Sequence, residues 1–104
     1  MIFRRDPFRD VIARQLDLFV EDQSDLLEEC REKYRVYERA PRDDAEESYG
    51  DFVDAVETAT EALADMRDRF ARTLDEDAAE VYEDSLNRAV KKRWSELGLE
   101  IENR

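Results

Sequence analysis

At 104 residues the chain is long enough for one domain, 1–104, and too short for two. A formal charge of −12 and a pI near 4.4 set it against phosphate backbones and anionic lipid, so neither direct nucleic-acid binding nor membrane association is expected. With no His and the single cysteine Cys30, the chain has no His-based nucleophile pair, no His-ligated metal centre and no internal disulfide.

Apolar residues make up 41%, enough for a core, while two Gly and two Pro leave few turn formers. That combination predicts few, long elements. Three Lys against 14 Arg, beside 29 acids, fits a salt-adapted surface or a GC-rich coding bias equally well. Arg4, Arg5 and Arg9 alternate with Asp6 and Asp10, and no apolar run follows. A secretory signal is therefore not expected, nor is a membrane span, and a cytoplasmic location is.

The first predicted helix covers most of 7–39. Asp6 caps it and Pro7 fits its first position. Phe8, Ile12, Leu16, Phe19, Gln23, Leu27, Cys30, Tyr34 and Tyr37 recur near the 3.6 period, flanked by Val11, Val20, Leu26 and Val36. The polar run Glu21 to Asp25 crosses this stripe. Because the apolar phase survives it, a continuous helix is expected, with Ser24 as the cap of a new helix if the chain kinks there. Pro41 ends the element.

The second predicted helix covers most of 44–73, opened by Asp43 or Asp44. Its core positions, spaced four and three in turn, are Ala45, Tyr49, Phe52, Val56, Ala59, Leu63, Met66, Phe70 and Thr73. Ala55, Ala59 and Ala62 leave room for a close neighbour. Continuing the same phase would bury Asp77, Glu80, Asp84 and Asn87, so the chain is expected to break or shift phase near Asp75; the alternative is one helix running on to Gly98, bent or stuttered there. A third helix over most of 76–97 follows, with Ala78, Val81, Tyr82, Leu86, Ala89, Val90, Trp94 and Leu97 inward. Acids open it, Lys91-Lys92-Arg93 close it, and Gly98 comes after. The predicted fold is all-α: an antiparallel long-helix hairpin with a shorter third helix, a three-helix bundle.

Three constellations carry functional expectations. The outward face of the second helix holds Glu47, Asp51, Asp54, Glu61, Asp65 and Asp68. Of these, Glu61, Asp65 and Asp68 are the candidate docking residues for a basic protein partner. Glu28-Glu29-Cys30-Arg31-Glu32 followed by Asp51-Phe52-Val53-Asp54 resembles the EExxE and ExxD pattern of the all-α nucleoside triphosphate pyrophosphatases. That resemblance covers residues 28–54 and implies carboxylate-held magnesium. It departs from the pattern in reading DxxD, and the heptad phase turns Asp51 and Asp54 outward. Lys91-Lys92-Arg93-Trp94, and Arg4-Arg5 with Phe3 and Phe8, are basic–aromatic clusters best read as a helix cap and an N-terminal arm.

The third constellation is architectural. By residue count the third helix ends level with Phe52 and Cys30, leaving the hairpin tip with Tyr34, Tyr37 and Tyr49 beyond its reach. Leu99-Glu100-Ile101 is the segment available to cover part of it. The expected function is a non-catalytic helical protein–protein interaction module, homo-oligomeric through these tyrosines. It is not expected to be an enzyme, nor to use a cofactor or metal. The alternatives are an acidic nucleic-acid mimic or antitoxin-like inhibitor of a basic protein and, third, a magnesium-dependent pyrophosphatase.

Overall fold

In the computed structural model, which describes residues 6–97, 99, 101, 102 and 104, α1 spans Arg9–Asp22, α2 Ser24–Arg39, α3 Ala45–Ala71 and α4 Glu76–Arg93. Single 3-10 turns occupy Arg42–Asp44 and Ser95–Leu97, and no strand occurs among the described residues. The class is all-α with four helices rather than three.

The extra helix comes from a break at Gln23, whose φ of −117° and ψ of 30° leave the helical basin. The backbone bonds Gln23 N–H to Phe19 O and Leu27 N–H to Gln23 O persist at 2.8 and 3.1 Å, which is why the apolar phase carries across. Two causes act together. Glu21, Asp22 and Asp25 repel one another at helical spacing, and no residue from 21 to 25 is buried. The break also divides the packing: α1 lies against α4, while α2 runs along α3. Gln23 itself precedes the new helix, so Ser24 is its first residue and not its cap.

The other boundaries follow local chemistry. The Asp6 carboxylate accepts the Phe8 N–H at 2.9 Å, and α1 begins at Arg9. Ala40 is extended before Pro41, and the 3-10 turn then feeds α3 without a side-chain cap from Asp44. Asp75 caps α4 by accepting the Ala78 N–H at 2.9 Å. That break falls where the heptad phase ran out.

α3 buries a rotated face. Ala55, Ala59, Thr60, Leu63, Ala64, Arg67 and Ala71 are inside, while Phe52, Val56, Met66 and Phe70 flank them and Tyr49 and Thr73 are exposed. The small residues admit close neighbours, and the tail packs on this side of α3. On α4, Tyr82, Ser85, Leu86 and Val90 are buried and Val81 points out, a correction to the expected face.

Tyr82 ties the lower end together. Its ring meets Phe8 edge-on at 5.5 Å and Phe70 at 4.7 Å, and its hydroxyl donates to Gln15 Oε1 at 2.9 Å. Burial pushes its phenol above the ordinary range, and burial followed by Glu29 does the same for the Cys30 thiol. Both groups are neutral when folded and ionise more easily when unfolded, so their stabilisation is complete below the unfolded pKa and declines above it. The urea midpoint should be flat to roughly pH 8 and fall from about pH 9 upward as thiol and then phenol ionise in the unfolded chain. Cys30→Ala should remove the lower part of that fall and Tyr82→Phe the upper part. An undiminished midpoint well into the phenol range would contradict this assignment.

Candidate interaction surfaces

The α2–α3 hairpin projects past the rest of the molecule, which is 54 Å in its longest dimension. α3 alone spans ~40 Å. From residue 31 to residue 54 no side chain is buried, whereas Cys30 and Ala55, just below, are. The length mismatch expected from the sequence therefore stands: among the described residues the tip consists of α2, α3 and the turn that joins them.

Those two helices bring the candidate tyrosines together. Tyr37 and Tyr49 face each other with ring centroids 5.2 Å apart, and Tyr34 meets Phe52 at the same distance. Tyr49 remains 51% exposed and Val36 47%, because a two-helix seam has no third wall. The charges of the tip are divided by helix. Residues 31–42 carry five bases and two acids, and residues 43–54 carry six acids and no base.

The described residues of the C-terminal segment form their hydrogen bonds elsewhere, at Arg67 and Glu61. The turn Ser95–Leu97 packs on α2 and the end of α4, and Leu97, Leu99 and Ile101 are buried. The segment then reaches Arg67 on the lower half of α3. The Arg67 guanidinium, 4% exposed, donates to Ile101 O at 2.9 Å, Arg104 O at 2.6 Å, Asn87 Oδ1 at 3.0 Å and Asp68 Oδ1 at 2.9 Å. The planar fork matches divergent carbonyls, which a point-charge ammonium cannot do. Nothing in the sequence analysis singled out Arg67. The one available signal is its phase with Thr60, Ala64 and Ala71, a small-residue face with room for a long side chain.

The carboxylate stripe is partly consumed by the chain itself. Asp68 pairs with Arg67, and Glu61 pairs with Arg104 Nη1 at 3.4 Å. Asp65 has no such partner among the described residues and lines a cleft between α1 and α3. Phe3, Arg4 and Arg5 of the N-terminal cluster, Gly98 and Glu100 lie outside the described residues.

The acidic motif in α2 is likewise divided. Arg35 holds Glu28 at 2.9 Å and Glu32 at 2.8 Å, and hydrogen bonds to Glu32 and then Glu28 raise its pKa. Glu29 instead shares a hollow of about 310 Å³ with Asp51, Asp54 and Lys33. Among the described residues no three acidic groups converge closely enough to hold a metal ion. None of the described helices is long and apolar enough to cross a membrane.

Comparison with protein-family models, curated proteins and solved structures finds no match to the chain.

Proposed function

We propose that the protein is a non-catalytic helical interaction module that pairs with a second copy through the tip of the α2–α3 hairpin. The observation that carries this reading is the run from residue 31 to 54: it holds four aromatic rings and buries no side chain. Exposed apolar patches of this kind mark interfaces, and tyrosine is enriched at their centres.

The division of charge supports a copy of the same chain as partner. A twofold axis across the tip sets the basic end of α2 against the acidic start of α3 in both directions, as an isologous contact requires. Burying one ring contributes roughly 1.5–3 kcal/mol. Three rings from each chain are then of the right order to offset the several kcal/mol lost on association.

Light scattering of the full chain tests the proposal. Tyr34→Ser combined with Tyr49→Ser should abolish this pairing without loss of helical circular dichroism, since neither ring belongs to the buried core. A wild-type chain that stays monomeric at high micromolar concentration, in low and high salt alike, has no such interface.

A further inference from the structure

The C-terminal segment is held in a way that reads little of its own sequence. Leu99 and Ile101, two residues apart, are fully buried. Beyond them the hold is on main chain: Arg67 Nη1 donates to Ile101 O at 2.9 Å and Nη2 to Arg104 O at 2.6 Å. Ile101 O also accepts the Arg104 N–H at 3.1 Å, and that turn brings both carbonyls to one guanidinium. Another segment with two apolar residues so spaced, followed by such a turn, presents the same groups. Recognition of this kind takes affinity from main-chain bonds and specificity from the pockets for alternate side chains. The seat also makes a demand of its own. Without the segment Arg67 keeps Asp68 and Asn87 and loses its two carbonyls, so a guanidinium only 4% exposed is left short of acceptors.

One side chain of the resident segment suits this seat badly. Glu102 lines a hollow of about 400 Å³ together with Glu76, Glu80, Glu83 and Asp84. Those four carboxylates recur three and four residues apart and so share one face of α4 with Asn87, which bonds Arg67. The two arginines of the hollow are engaged elsewhere. Arg67 pairs with Asp68, and the Arg104 guanidinium reaches Glu61 on α3 at 3.4 Å. Among the described residues, neither Glu102 nor any of the four acids on α4 has an ion-pair partner. The segment therefore docks an acid against acids.

We propose that this seat on α3 and α4 is a peptide-binding site, with the chain's own segment as its resident, self-inhibiting ligand. The partner it fits is a segment of another protein with apolar residues at the Leu99 and Ile101 positions and a Lys or Arg where Glu102 stands. Such a segment makes the same carbonyl bonds to Arg67 and turns repulsion from the four acids of α4 into attraction. The same segment of a second copy meets the repulsion that the resident one meets. It also competes with a ligand tethered beside the site, whose effective concentration is on the order of millimolar. Displacement therefore depends on the gain at this one position, and added salt closes that gain. The site lies away from the tyrosine tip and does not rest on pairing there.

Fluorescence anisotropy tests this with labelled peptides of residues 95–104. The receptor is the full chain carrying Leu99→Ala and Ile101→Ala, whose own segment fills the seat poorly, with its helical circular dichroism checked first. At low salt the peptide with Glu102→Lys should bind it at least about tenfold tighter than the native peptide, or 1.4 kcal/mol. Glu80→Gln with Glu83→Gln in the receptor should remove most of that preference, as should molar salt. Arg67→Met in the receptor should weaken both peptides alike. A scrambled peptide of the same charge should not bind, which separates the seat from general attraction to an acidic protein. The wild-type chain needs no loosened segment: it should bind the Glu102→Lys peptide more weakly than the receptor variant does, and Glu102→Lys in the chain itself should close the seat to that peptide. Absence of saturable binding to both chains at millimolar peptide overturns the proposal, as does equal binding of the scrambled peptide. Equal affinity of the Glu102→Lys and native peptides at low salt overturns the assignment of a basic residue to the hollow.

Discussion

Arg67→Met should lower the unfolding free energy by about 3 kcal/mol, a large part of the ~5–15 kcal/mol that holds a domain of this size. The side chain is almost fully enclosed and donates to four acceptors, two of them main-chain oxygens of the C-terminal segment. Hydrogen bonds to a charged group contribute ~1.5–3 kcal/mol each, and the desolvation of the guanidinium opposes them. Methionine removes that desolvation cost and keeps most of the packing volume, so the net loss is smaller than the sum of the bonds. What remains is the burial of Ile101 O without its donor. Thermal melting should register the change as a midpoint lower by roughly 12–20 °C. Arg67→Lys should recover less than half of the loss, because one ammonium cannot span carbonyls that the fork reaches separately. A methionine variant melting within a few degrees of wild type would show that the segment is held by its apolar side chains alone.

Much of this architecture is legible in the sequence because apolar period and breakers act locally. Pro41 stops α2, Asp75 caps α4 at the residue where the heptad phase fails, and the bare tip follows from counting residues. The kink at Gln23 is not legible from period alone, since its flanking backbone bonds preserve the phase while the axis turns. What decides it is tertiary: α1 and α2 pack on different partners.

The rotated face of α3 has the same kind of cause. Tyr49 and Val56 fit a heptad seam, but the seam belongs to a two-helix contact, and α4 with the tail draws Thr60, Ala64 and Arg67 inward instead. Arg67 escapes notice because one arginine among 14 carries no mark of burial. Of the candidate surfaces, the tyrosines were found from spacing. The cleft was not, because its walls come from α1 and α3, segments far apart in the sequence whose packing no local period reveals. The carboxylates Glu61 and Asp68 look free in a one-dimensional stripe, and their partners Arg104 and Arg67 become visible only once the tail is docked.

Leu99→Ala together with Ile101→Ala should be the most damaging change in the tail, and its cost should be capped. Both side chains are fully buried. Cavity formation at two such sites amounts to ~2–5 kcal/mol each. A terminal segment has another option: it can leave its groove and regain backbone entropy of ~1–2 kcal/mol per residue. The loss then stops at the net free energy of docking, whatever the size of the cavities. Two signatures identify this regime. The emission of Trp94, the one tryptophan and buried beside Phe19 with ring centroids 6.1 Å apart, should shift to the red while helical circular dichroism persists. Arg67→Met should cost about 3 kcal/mol in the wild-type background and under ~1 kcal/mol in the double-alanine chain, because Ile101 O and Arg104 O are no longer there to receive its bonds. Full additivity of the two changes in a double-mutant cycle would mean that the tail stays docked around its cavities, and that Arg67 and the two apolar side chains hold it independently.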